Sequence, residues 1–115
     1  MSYLLLIVEP PGQRAERGLA EGQKVFAQMQ AFAQSLDQQG LLLGVNALKS
    51  PAVRVQRHDG RVQALDGPFA ETKELIGGYL LLDCNSREQA LAIAAECPAA
   101  AWATVEVREI GTCYE

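Results

Sequence analysis

The chain has 115 residues, 49% apolar and 21% charged, a composition that fits one globular domain over residues 1–115 and excludes a disordered chain. Ten Lys and Arg against fourteen Asp and Glu give a net charge of −4, the wrong sign for default nucleic-acid binding, which rests on clustered positive charge. The apolar runs fall far short of the roughly 20 residues that a membrane-crossing helix needs.

Residues 3 to 8 are continuously apolar and read as a strand buried on both faces. Glu9, Pro10 and Pro11 follow where a secretory cleavage site would be expected, so this segment is read as a strand and not as a signal peptide. From about Leu19 to Gln39 the pattern is helical, with Leu19, Phe26, Met29, Ala33 and Leu36 recurring at three- and four-residue steps and Gly40 as the stop. Leu41–Val45 reads as a second strand. Val53–His58 and Arg61–Leu65 flank Asp59-Gly60, the signal for a hairpin with a two-residue turn.

A polar loop, Asp66 to Glu74, leads through Gly77-Gly78 into a strand, Tyr79–Asp83. The glycine pair is too short for a phosphate loop and reads as close backbone packing at the strand entry. Ser86 with Gln89 three positions on forms a capping box at the start of a helix that runs to about Cys97. Pro98 stops it, and Trp102–Ile110 is the last strand. Strand, helix, strand, inserted hairpin, strand, helix, strand is an α+β, ferredoxin-like βαββαβ order.

Two helices cover one face of such a sheet, yet three of its strands look apolar on both faces. A large open apolar face marks an interface, and a homodimer packed sheet to sheet is the economical solution. The alternative is that the hairpin folds over the open face.

The three widely spaced cysteines, Cys84, Cys97 and Cys113, favour reduced thiols in a cytoplasmic protein over a disulfide framework. No Cys/His spacing resembles a metal site, and nothing in the chain calls for a cofactor.

With Asp59-Gly60 as the turn, Val53 lies opposite Asp66, and Val53, Val55, Val62 and Ala64 share one face. That register aims Asp66 at the apolar side. Either it accepts backbone hydrogen bonds and pins the Gly67-Pro68 turn, or it lines a pocket as an acid or base. His58, the only histidine, sits beside the hairpin turn and points away from Asp66.

Asp66-Gly67-Pro68-Phe69-Ala70-Glu71-Thr72-Lys73-Glu74, followed by Gly77-Gly78-Tyr79 and an apolar strand, resembles the signature of the YCII-related family in its DGPF-domain branch. Tyr3-Leu4-Leu5-Leu6-Ile7, Asp59-Gly60-Arg61 and Val105-Glu106-Val107-Arg108 extend the resemblance over residues 3 to 110. It implies a dimeric α+β barrel. It also implies a small-molecule pocket near the motif loop, with acid–base enzyme activity in some relatives, one of which acts in chlorinated-aromatic breakdown. The alternative it implies is a non-catalytic ligand-binding or regulatory protein linked to an extracytoplasmic-function sigma factor. Asp66 matches the motif's acidic position and is the candidate catalytic residue. Relatives proposed to use a His–Asp pair carry the His near the first helix, and Arg17–Glu21 here contains none.

Glu71, Lys73 and Tyr79 are the candidate ligand-binding residues. Lys73 neutralises Asp66, binds an anionic group or is simply solvated. Tyr79 offers its phenol to a cleft or packs with its hydroxyl at the rim. Lys49, Arg54, Arg57 and Arg61 form a local basic cluster, read as an anion or partner site or as charges that keep hairpin edges from aggregating.

Overall fold

Strict alternation in the first strand sets the architecture. The computed structural model describes residues 1–50, 52–66 and 73–114, with Asp66 described in its backbone alone. In β1 (Ser2–Glu9) the odd-numbered residues are buried and the even-numbered ones half-buried, so the strand is sealed on one face only. Burial of the second face, expected from the sequence, is not complete within one copy: its residues stay half-buried.

The chain continues through α1 (Gln13–Arg17), α2 (Leu19–Gln38), β2 (Leu42–Ala47), β3 (Val53–His58) and β4 (Arg61–Asp66). It ends with β5 (Leu75–Asp83), α3 (Arg87–Glu96), a 3-10 turn at Pro98–Ala101 and β6 (Thr104–Glu109). Four strands form one sheet in the order β2-β5-β1-β6, antiparallel at every pairing, which is the ferredoxin-like arrangement expected from the sequence. β2 starts and ends later than predicted, and Gly77-Gly78 lies inside β5 instead of opening it. α1 and the 3-10 turn are short elements that leave no apolar period to detect.

Cross-strand pairs build the core. Tyr3 opposes Leu82, and Leu5 opposes Leu80 on one side and Val107 on the other. Tyr3, Leu5, Leu80 and Leu82 are fully buried, beneath Ala90, Ile93 and Ala94 of α3 and Ala33 and Leu36 of α2. Ser86 Oγ accepts from the Gln89 backbone N–H at 3.1 Å, as the capping box requires. The Gln89 side chain reaches one residue further back than expected, accepting from Asn85 N–H at 2.7 Å. The opposite face of the sheet carries Leu4, Leu6, Val8, Tyr79 and Leu81, all half-buried.

The hairpin forms its own two-stranded sheet, with Val53 opposite Asp66 and His58 opposite Arg61, as read from the sequence. Asp59 and Gly60 both have positive φ (50° and 77°), which suits the tight turn between twisted strands. The hairpin does not roof the sheet: every described side chain in it is exposed, Val55 and Val62 by 65% and 63%. Among the described residues no helix is long and apolar enough to cross a membrane.

Candidate functional site

The alternation of β1 places Glu9 in phase with Tyr3, Leu5 and Ile7, on the face that the helices cover. A carboxylate there needs a partner. Arg14 of α1 supplies it: Nε lies 2.8 Å from Glu9 Oε1, and Glu9 is 6% exposed. The same guanidinium donates from Nη1 to the Leu48 carbonyl (2.6 Å) and from Nη2 to the Gly77 carbonyl (2.8 Å). One side chain thus ties β1, the end of β2 and β5 together.

Gly77 makes room for this pair. A Cβ there would lie 2.7 Å from Glu9 Cδ and Oε2 and 2.8 Å from Arg14 Nη2. The β1–β5 register shifts at this point, between Ile7 and Val8. A Cβ on Gly78 would lie 2.9 Å from the Asn46 carbonyl oxygen, the close backbone approach expected of the glycine pair.

Beside the ion pair is a cavity of about 1020 Å³ between α2 and the sheet. It exists because only Ala33 and Leu36, in the C-terminal half of α2, are buried. The N-terminal half stands off the sheet, leaving Leu19 79% and Phe26 52% exposed although both belong to the apolar stripe. Opposite them the strands present Val45, Ala47 and Gly78, which are too small to fill the gap. Trp102 closes one end, with Arg17 Cζ 5.6 Å from its ring centroid. The result is an apolar cleft with charge confined to one end, the usual character of a small-molecule site.

A smaller hollow of about 370 Å³ adjoins it. Lys73 and Glu74 border it together with Glu9 and Trp102, which border both spaces. Lys73 is therefore exposed beside the ion pair. Asp66 ends β4 in the expected register opposite Val53, and its side chain lies outside the described residues, as does Glu71. Tyr79 borders the large cavity through its strand, but its register pairs it with Leu6 and Asn46 on the open face of the sheet. There Asn46 Nδ2 donates to the Tyr79 hydroxyl at 2.8 Å. His58 is exposed on the hairpin, 3.1 Å from Gln56.

Glu9, Arg14, Arg17 and Trp102 were not read as site residues from the sequence. The signal was present for Glu9, since the phase of β1 runs through it. Among the described residues no cluster of His, Cys, Asp or Glu could hold a metal ion. All three cysteines are free, and burial raises the thiol pKa of Cys84 and Cys97.

Residues 1–112 match the model of the YCII-related domain. An uncharacterised protein of Rhizobium meliloti (strain 1021) is 32% identical over 93 residues, spanning 79% of this chain and 75% of its own length. Among solved structures, the fold is similar to 5-chloro-2-hydroxyhydroquinone dehydrochlorinase of Burkholderia phenoliruptrix AC1100 in complex with 2,5-dihydroxybenzoquinone. That match has a TM-score of 0.59 at 14% identity and covers 96% of this chain and 94% of that one.

Proposed function

The chain belongs to the YCII-related domain family, and from that membership we propose that it is a small-molecule-binding protein that works as a homodimer. The observation that carries the reading is the cleft under α2, with apolar walls and the Glu9–Arg14 pair at one end. Pairing through the sheet is supported by Leu4, Leu6, Val8 and Leu81, a half-exposed apolar face that one copy leaves uncovered. Asp66 is the carboxylate we assign to an acid–base step, with Glu71 and Lys73 beside the bound molecule; Tyr79 contributes its strand to the wall of the cleft, while its phenol stays with Asn46 on the other face. The support is that the motif loop runs into Lys73 and Glu74 at the smaller hollow. The dehydrochlorinase relative makes hydroxylated ring compounds the first probes to try.

A thermal-shift screen with 2,5-dihydroxybenzoquinone and small hydroxylated aromatics tests the reading. Binders raise the melting temperature of the wild type and lose that effect in Val45→Trp, which fills the cleft. If no compound stabilises the wild type at millimolar concentration, the reading fails. Sedimentation at low micromolar concentration tests the pairing: the wild type runs as a dimer and Leu6→Glu as a monomer. A monomeric wild type overturns it.

A further inference from the structure

Three charged side chains border the large cleft among the described residues: Glu9, Arg14 and Arg17. Arg14 is engaged through all three of its nitrogens. Its charge is met by Glu9, and its two Nη groups are taken by the carbonyls of Leu48 and Gly77. Arg17 is different. No carboxylate among the described residues lies within ion-pair distance of it, and its guanidinium lies over the Trp102 ring.

A guanidinium held over a ring by cation–π attraction spends no N–H group on a hydrogen bond there and keeps those donors for an acceptor. Among the described residues the cleft therefore holds one positive charge without a carboxylate partner, in a chain whose net charge is −4. Next to that charge the walls are apolar, and Phe26 leaves half of its surface uncovered. Neutral apolar molecules would satisfy the walls and leave Arg17 without an anion. Strongly polar anions would satisfy Arg17 and leave the walls wet.

We propose that the ligand of this cleft is an apolar organic acid, whose carboxylate pairs with the edge of Arg17 while its hydrocarbon body lies against Phe26 and Val45. The proposal rests on the small-molecule reading above and adds the chemical class of the ligand. Trp102 orients the guanidinium, and Arg14 stays with Glu9. A carboxylate accepting two charge-assisted hydrogen bonds from one guanidinium is the pairing this geometry favours.

The test is calorimetric titration of the full chain with three acids, each alongside its own primary amide: 4-phenylbutyrate, cyclohexylacetate and 2-naphthoate. At least one acid binds about tenfold more tightly than its amide, the size expected for hydrogen bonds to a charged group. In Arg17→Met that preference falls to within about threefold while the amide's affinity is unchanged. Arg17→Lys keeps part of it. Equal binding of acid and amide by the wild type overturns the proposal and leaves the small-molecule reading standing, as does a preference that survives Arg17→Met. If none of the six compounds binds up to millimolar concentration, the proposal fails, and the small-molecule reading is decided by the hydroxylated-ring screen alone.

Discussion

Arg14 Nε and Glu9 Oε1 lie 2.8 Å apart across the turn that joins the first strand to the first helix, and this pair is the polar hinge around which the cleft is arranged. Glu9 is almost fully buried and the Arg14 side chain is 44% exposed. Removing the cation strands a carboxylate away from water. Arg14→Met is expected to cost about 2–3 kcal/mol, less than the roughly 3–5 kcal/mol of a fully buried pair because one partner reaches solvent. The double variant Glu9→Gln/Arg14→Met costs less than Arg14→Met alone. Urea unfolding of the wild type and the two variants checks this, and equal stability of wild type and Arg14→Met would contradict it.

The two glycines of β5 differ in what they face. At Gly77 an added methyl meets the ends of the Glu9 and Arg14 side chains, which can retreat only by loosening their pair. At Gly78 it meets the Asn46 carbonyl, which the β2–β5 ladder holds. Each Ala substitution is expected to cost about 1–3 kcal/mol through overpacking, with Gly78→Ala the larger. In the Arg14→Ala background the cost of Gly77→Ala shrinks and that of Gly78→Ala does not, a coupling a double-mutant cycle reads directly.

Burial raises the pKa of the Cys84 and Cys97 thiols above the ordinary 9.0. The folded chain thus holds their protons after the unfolded chain has released them. Their contribution to stability is complete below about pH 9 and is lost as pH climbs from there through the raised folded values. Urea midpoints measured from about pH 7 to about pH 11 are expected to fall above pH 9, and less steeply in Cys97→Ala. A flat profile would show that the two thiols ionise alike in both states.

Asp66 is separated from these effects by substitution. Asp66→Asn is nearly isosteric and removes only the charge. If Asp66 serves the bound molecule, the thermal stabilisation by a confirmed ligand drops in Asp66→Asn while the unliganded melting temperature changes little. Unchanged stabilisation by that ligand would remove Asp66 from the site.

The periodic parts of the fold were legible in the chain, and the charged parts were not. Alternation, the Asp59-Gly60 turn and the Ser86 cap identify the strands, the hairpin register and the start of α3, because each is a local choice with a local signature. The cleft depends on an absence: Val45, Ala47 and Gly78 fail to reach Leu19 and Phe26, and a stripe that reads as core stays open. Glu9 beside two prolines reads as a strand end, although its phase with Ile7 commits it to the covered face. Its partner arrives five residues later in a helix too short to show a period.

Trp102 is the only tryptophan in the chain, and it stands in the wall shared by both hollows with a guanidinium over its ring. The protein therefore carries its own optical gauge. Excitation of the indole reports the occupancy of either space without a dye, and a shift in emission colour registers movement of the cation above it. Arg17→Met and wild type, compared in the same cuvette, separate the two signals.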